Sequence, residues 1–106
     1  AEWGEWFQAG GWANGMIPSV PVTGNHEYFG GGLLRTAELS KHWRPQFTLP
    51  TNGPESLPET AYWFDFQGVR VIALNSNVAP DTQTAWLDKL LTDNPHPWTV
   101  VSFHHP

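Results

Sequence analysis

The sequence predicts an α/β fold from two neighbouring signals, a strand–helix–strand unit over residues 69–103 and an aromatic hairpin arm before it. The strand that begins the unit, Val69 to Leu74, is apolar on both faces after Arg70, which is typical of a strand buried on both sides. Trp98 to Phe103 has the same character and is also expected to be buried. Because such a connection almost always makes a right-handed crossover, the two strands are expected to lie parallel.

The helix of this unit is predicted to begin at Pro80, with Asp81 or Thr82 capping its free backbone N–H groups. Asn94-Pro95 is expected to end it, since proline cannot continue a helix. Apolar residues recur on one side of the helix, which indicates that this side packs on the sheet. They are Trp86, Leu87, Leu90 and Leu91.

The hairpin arm is Tyr62 to Phe66, and Gln67-Gly68 follows it as the turn into the next strand. Glycine at the second position of a two-residue turn suits a tight hairpin. The predicted fold class is therefore α/β with one antiparallel hairpin partner.

The N-terminal half carries weaker signals. Aromatic residues three and four apart predict a helix over residues 3–13, and a β-branched run predicts a short strand from Val20 to Thr23. A second short helix is predicted around Thr36–Lys41. Prolines punctuate residues 45–60, which are expected to form a loop.

Size and charge narrow the possible partners. The chain has 106 residues, enough for one domain at most, and a formal net charge of −5. This charge argues against a nucleic-acid backbone as partner, because phosphate binding needs clustered cations, and it disfavours membrane surfaces for the same reason. No apolar run approaches the roughly 20 residues of a membrane span. The chain has no cysteine, which excludes disulfides and thiolate metal ligands.

Neither end of the sequence resembles the end of a domain. Ala1 opens on Glu2-Trp3-Gly4 in a predicted helix, with no initiator methionine or signal peptide, and Pro106 directly follows an apolar strand and two histidines. We therefore expect residues 1–106 to be an internal piece of a longer protein, with an incomplete domain.

Polar residues follow each of three predicted strands. Gly24-Asn25-His26-Glu27 follows the first, Asn75-Ser76-Asn77 the second and His104-His105-Pro106 the third. In open α/β sheets, ligands bind beyond the carboxyl ends of the strands. If the strands are parallel neighbours, the histidines and amides meet at one edge. Imidazole nitrogen and amide oxygen both bind divalent or trivalent metals, and His26 can act there as a general acid or an electrostatic clamp on a phosphoryl oxygen.

The order of these elements resembles the calcineurin-like metallophosphoesterases, in particular the branch that includes the purple acid phosphatases. GNHE after an apolar strand, here residues 24–27, is one of the signatures of that superfamily. It is followed by an irregular segment, a hairpin that ends Ala73-Leu74-Asn75-Ser76, the segment Gln83-Thr84-Ala85-Trp86-Leu87, and a strand that ends in His-x-Pro. The resemblance runs through nearly the whole chain.

The resemblance assigns roles residue by residue. Asn25 and His104 match the asparagine and histidine that bind the second of two metal ions, and His26 matches the histidine beside the substrate phosphate. Glu27 matches the acidic residue of the motif, which would support the site without touching the ion. His105 fills the variable position of His-x-Pro and receives no role.

For the whole protein, the resemblance implies a dinuclear metal-dependent phosphohydrolase built on a β-sandwich flanked by helices. Its cofactors would be two Fe, Zn or Mn ions, and its substrate a small-molecule or nucleotide phosphate mono- or diester. A secreted or periplasmic location is implied by the resemblance alone.

Residues 1–106 would be the central piece of a single catalytic domain, whose remaining parts would be their partner. The Asp-x-His, Gly-Asp-x-x-Asp and Gly-His-x-His elements of the family, with the first-metal ligands and the bridging aspartate, do not occur in the sequence. We therefore expect this chain alone to bind metal weakly and to be inactive.

Plainer interpretations are open at each position. GNHE is compatible with a strand-to-loop exit in which Asn25 bonds its own backbone, and His104 with a buried histidine bound to a carbonyl. His42 and His96 are expected at the surface. The alternative function is a non-catalytic, degenerate relative that keeps the scaffold and binds a protein or glycan through its aromatic residues.

Overall fold

A three-stranded sheet and the helix packed on it form the centre of the structure, a computed structural model that describes residues 2–29 and 38–106. The strands are β3 (Tyr62–Phe66), β4 (Val69–Ala73) and β5 (Trp98–Ser102), in the order β3-β4-β5. β3 runs antiparallel to β4, and β5 runs parallel to it. The predicted hairpin and the predicted parallel strand pair are both confirmed, and with them the general α/β class.

The turn of the hairpin has the geometry that its two residues predict. Gln67 has φ 48° and Gly68 has φ 81°. Positive φ at both central residues matches the right-handed twist of the flanking strands, so the arms can pair without splaying. Glycine adopts this conformation without steric cost.

The crossover helix α3 (Pro80–Thr92) lies against one face of the sheet. Arg70 of β4 is buried on that face, where its guanidinium donates to both oxygens of Asp65 at 2.8 and 2.9 Å and to the Leu90 carbonyl at 2.8 Å. The buried cation is thus fully paired, as burial requires. The hydrogen bond from Arg70 holds the pKa of the Asp65 carboxyl below its ordinary value.

Two details of this region differ from expectation. Residue Ala79, with φ 49°, precedes the helix, and no side chain caps its first N–H groups; Thr82 instead donates its hydroxyl to the Ala79 carbonyl at 2.8 Å. The predicted cap by Asp81 or Thr82 is therefore wrong. His96 is half-buried rather than at the surface, because its Nε2 lies 3.1 Å from an Asp65 oxygen.

The other face of the sheet leaves large apolar side chains exposed. Trp98 and Val100 of β5 are 71% and 52% exposed, and Phe66 of β3 is 63% exposed. The register places all three on this face, away from α3. The prediction that β5 is buried is wrong, because the helix covers only one side of the sheet and β5 is an edge strand.

The N-terminal part comprises α1 (Glu2–Gly10), α2 (Ala13–Met16) and a tryptophan-centred cluster. Trp3 packs edge-on against Trp43 and Phe47, with ring centroids 6.2 and 5.4 Å apart. Trp43 is buried, and its Nε1 donates to the Glu59 carbonyl at 3.1 Å. The helix predicted over residues 3–13 is present as α1 but ends at Gly10, and the short helix α2 was not predicted. Among the described helices, none has the length and hydropathy to cross a bilayer.

Two predicted elements of this half are wrong. Residues 20–24 are extended but form no strand within the described part of the chain, and Pro21 has no N–H to donate to a ladder. The helix expected at Thr36–Lys41 lies partly outside the described residues. Its described part contains β2 (Glu38–Leu39), which pairs antiparallel with β1 (Tyr28–Phe29).

Candidate metal site

The GNHE motif forms a tight 3-10 turn, Asn25–Glu27, directly after Gly24. The Gly24 N–H donates to Glu27 Oε2 at 2.8 Å, and the Glu27 N–H donates to the Gly24 carbonyl at 3.2 Å. This reciprocal pair of hydrogen bonds between Gly24 and Glu27 stabilises the turn. The side chains of Asn25 and His26 are left exposed at its outer surface.

Asn25 and His104 meet at this surface although 79 residues separate them in the chain, with His104 Nε2 3.0 Å from Asn25 Oδ1. As a hydrogen bond, the contact has the Nε2–H donating to the amide oxygen. It is also the spacing of two ligands on one ion, because metal–nitrogen and metal–oxygen bonds of about 2.1 Å at a right angle put their donors about 3 Å apart. Asn25 does not turn back onto its own backbone, and His104 is exposed rather than buried.

Gly24 leaves room for this meeting. A Cβ built on Gly24 would lie 3.0 Å from Glu27 Oε2 and 3.1 Å from His104 Cε1. The carboxylate and the imidazole therefore lie on either side of the glycine. Glu27 sits next to the predicted ligands, with its Oε2 engaged by the backbone.

A second strand exit, Asn75-Ser76-Asn77, is fixed by α3. The Gln83 side chain accepts from the Asn75 N–H at 2.9 Å and donates to the Asn75 carbonyl at 2.7 Å. Asn75 is 1% exposed, and its Nδ2 donates to the Tyr28 hydroxyl at 2.6 Å. Gln83 thus bonds the Asn75 backbone as a neighbouring strand would. The bond to Tyr28 links Asn75 to the residue that directly follows GNHE.

The other two residues of this exit reach the first and third exits. Asn77 Nδ2 donates to the Thr23 carbonyl at 2.7 Å, just before Gly24. Ser76 Oγ accepts from the backbone N–H of His104 at 3.2 Å and from that of His105 at 2.9 Å. The three polar exits that the sequence analysis singled out therefore converge, and the middle one connects the outer two.

The extended segment that leads into Gly24 is held by a buried phenol. The Tyr62 hydroxyl donates to the Pro21 carbonyl at 2.7 Å. Burial raises the pKa of Tyr62 to about 12, so the phenol stays protonated, and able to donate, throughout the neutral range. The side chains of Tyr62 and Asn77 thus bond a segment that has no strand ladder of its own.

The donor set fits part of one metal site. Asn25 supplies an amide oxygen and His104 an imidazole nitrogen, both types that borderline metals accept. Residues 2–29 and 38–106 contain no group of three His, Cys, Asp or Glu side chains arranged to hold an ion. His26 is exposed next to Asn25, and the His105 ring stands edge-on to that of His104 with centroids 4.7 Å apart.

Sequence reasoning missed the residues that join the exits. The sequence places Asn75-Ser76-Asn77 at the edge where the exits meet but assigns no role to Ser76, and it gives Gln83 only as part of the segment that carries the resemblance. The available signal was three consecutive small polar residues, Asn75-Ser76-Asn77, after a buried strand.

Comparisons with protein-family models, with curated proteins and with solved structures found no match to this chain. The functional assignment therefore rests on the motifs and on the geometry of the site.

Proposed function

We propose that this chain is the central part of a dinuclear metal-dependent phosphoesterase of the calcineurin-like, purple-acid-phosphatase-like class. The observation that supports this most directly is the 3.0 Å approach of Asn25 Oδ1 and His104 Nε2, which are 79 residues apart in the chain. A motif match that arose by chance would have no reason to bring these two side chains together. The domain would be the β-sandwich of that class, and the location secreted or periplasmic.

In this proposal Asn25 and His104 hold one ion, and His26 faces the substrate phosphate. Bound Fe, Zn or Mn ions would supply Lewis-acid chemistry at the phosphoester. His26 lies next to Asn25 in the turn and has an exposed side chain, so it can reach an oxygen of a phosphate mono- or diester. There its imidazole would donate a proton to the leaving group or stabilise developing negative charge.

Glu27 would support this site without binding the ion. One of its carboxylate oxygens accepts the Gly24 N–H at 2.8 Å, and the turn that carries Asn25 and His26 depends on that bond. Partners of this kind, behind the ligands, orient the groups that do touch the ion.

The test is a set of single variants in the full-length protein that contains these residues. His26→Ala should lower kcat about 100-fold or more on a nitrophenyl phosphate mono- or diester while its bound metal, measured by elemental analysis, stays unchanged. Asn25→Ala and His104→Ala should lose metal as well as turnover. His42→Ala is the matched control, since His42 is an exposed loop histidine outside the site. Unchanged turnover in both His26→Ala and Asn25→Ala would refute the assignment.

A non-catalytic binding module is the second candidate, and one observation favours it. A cleft of about 270 Å³ lies between the N-terminal helices and residues 46–49, lined by aromatic rings and amides. They include Trp6, Phe7, Phe47, Asn14 and Gln46. If the full-length protein binds no metal and hydrolyses neither ester, and Trp6→Ala abolishes binding to a glycan array, this candidate replaces the first.

A further inference from the structure

We infer that Ser76 is a positioning residue for the metal ligand His104. The inference rests on the proposed function, because it concerns the same ion, but it assigns a role that the motif resemblance does not give. Three contacts of the Ser76 hydroxyl carry it: those with the backbone N–H groups of His104 and His105 at 3.2 and 2.9 Å, and one with His105 Nδ1 at 3.3 Å.

The contacts of Ser76 lie where regular sheet pairing stops. The last backbone bond between the two parallel strands runs from the Leu74 N–H to the Ser102 carbonyl at 2.9 Å. Beyond it, β5 has ended and the chain carries Phe103, His104 and His105, all exposed. Here the hydroxyl of Ser76, and not a strand carbonyl, accepts two successive N–H groups.

Both chain neighbours of Ser76 are anchored by hydrogen bonds, as a positioning role requires. The residue before it, Asn75, is buried and bonded through its backbone N–H and carbonyl to Gln83. The residue after it, Asn77, donates to the Thr23 carbonyl. A fixed hydroxyl between two anchored neighbours sets the backbone of His104 relative to the turn that carries Asn25.

Loss of the hydroxyl should weaken metal binding more than it weakens the fold. His104 and His105 are exposed, so water can replace the hydroxyl at their N–H groups and little folding free energy is lost. Water does not fix their position, and the Oδ1–Nε2 spacing that one ion needs would then vary. Groups that orient metal ligands contribute about 10- to 100-fold in metal affinity.

The experiment is calorimetric titration of the metal-stripped full-length protein with Mn²⁺ or Zn²⁺ alone. We expect Ser76→Ala to bind at least about tenfold more weakly with a thermal midpoint close to that of the parent. Ser76→Thr keeps a hydroxyl and should restore most of the affinity. Ser56→Ala, which removes an exposed serine of the 45–60 loop, should leave both quantities unchanged. Saturating Mn²⁺ should return the turnover of Ser76→Ala toward that of the parent, because occupancy rather than the proton donor is impaired.

The outcomes separate this inference from the proposed function. If Ser76→Ala binds the ion as tightly as the parent while His104→Ala binds it weakly, Ser76 has no positioning role and the proposed function stands. A lower thermal midpoint with unchanged affinity, measured well below that midpoint, also overturns the inference, since it shows a purely structural serine. If His104→Ala itself binds the ion as tightly as the parent, the proposed function fails and the inference fails with it.

Discussion

A side chain at position 24 would crowd two groups of the candidate metal site. Gly24 has φ −93° and ψ 179°, a conformation that any residue adopts. Its backbone therefore does not demand glycine. The preference for glycine comes instead from crowding, because Glu27 Oε2 and His104 Cε1 would lie 3.0 and 3.1 Å from an added Cβ. Both groups belong to the candidate metal site, so a methyl group there acts on the site directly.

We predict that Gly24→Ala displaces these two groups, lowers Mn²⁺ affinity about tenfold and destabilises the protein by no more than about 1 kcal/mol, because both crowded groups are side-chain ends at the surface. Calorimetric titration and urea unfolding of the full-length protein measure the two effects. Gly15→Ala is the matched control, since a Cβ there has no heavy atom within 4 Å. Parent-like affinity in Gly24→Ala would show that the site tolerates the methyl group and that His104 is not confined.

At the residue scale, the sequence predicted the side chains with distinctive chemistry and missed those that hold them. Asn25 and His104 stand in recognisable motifs, so their meeting could be expected. Ser76 acts by accepting two N–H groups of residues 28 and 29 positions away. A serine in any loop has the same sequence appearance, because the identity of its partners depends on tertiary structure.

Among the secondary-structure elements, the hairpin depends on glycine in a different way. Gly68 has φ 81°, and an added Cβ would meet no heavy atom within 4 Å. The cost of a side chain there is therefore conformational strain alone, of about 1–2 kcal/mol. The turn joins the two strands that carry the Asp65–Arg70 pair, so strain in the turn would destabilise the pairing of these strands.

We predict that Gly68→Ala lowers the free energy of unfolding by about 1–2 kcal/mol without changing metal affinity. Gly4→Ala, the control, lies within helix α1 with open space around the added Cβ and should stabilise by up to about 1 kcal/mol. Urea unfolding of both variants measures the difference. If Gly68→Ala and Gly4→Ala changed the free energy of unfolding equally, the positive φ at Gly68 would be contradicted.

The elements that the sequence predicted well are those with local signals. The turn Gln67-Gly68 and the helix α3 have local signals, and both are present, although of the predicted apolar stripe Leu90 is buried whereas Leu91 is 47% exposed. The strands β1 and β2 have only two residues each and exist through the pairing of Tyr28 with Leu39 and Phe29 with Glu38, which no local window contains. Apolar composition also does not show whether another element covers a strand, which explains the wrong burial of β5.

At the scale of the whole molecule, the described sheet has one face that is covered only in part, since Tyr62 and Ala73 are buried there but large apolar side chains near the hairpin turn and in β5 are not. α3 packs on the face of the sheet that carries Arg70, whereas Phe66, Trp98 and Val100 lie exposed on the other. An exposed apolar group of this size carries a solubility cost. It contributes little to folding, because side chains that remain in water gain little from burial.

We predict that the 106-residue chain binds the apolar dye ANS, and that the double variant Trp98→Lys, Val100→Thr loses most of this binding. The free energy of unfolding should change by no more than about 0.5 kcal/mol per substitution, as at other exposed positions. Ile72→Thr, at a fully buried position of the neighbouring strand, should instead destabilise by more than about 1 kcal/mol. Fluorescence and urea unfolding measure these quantities. A large stability loss in the double variant would mean that this face is packed.

The 79-residue separation of Asn25 and His104 also sets an order of events during synthesis. At about 5–20 residues per second, a ribosome adds His104 about 4–16 s after Asn25. Throughout that delay the GNHE turn lacks its imidazole neighbour, although Ser76, whose hydroxyl accepts the His104 N–H, is added 28 residues before His104. A nascent chain therefore cannot assemble the pair early, and an ion that needs both donors has to wait until β5 has docked.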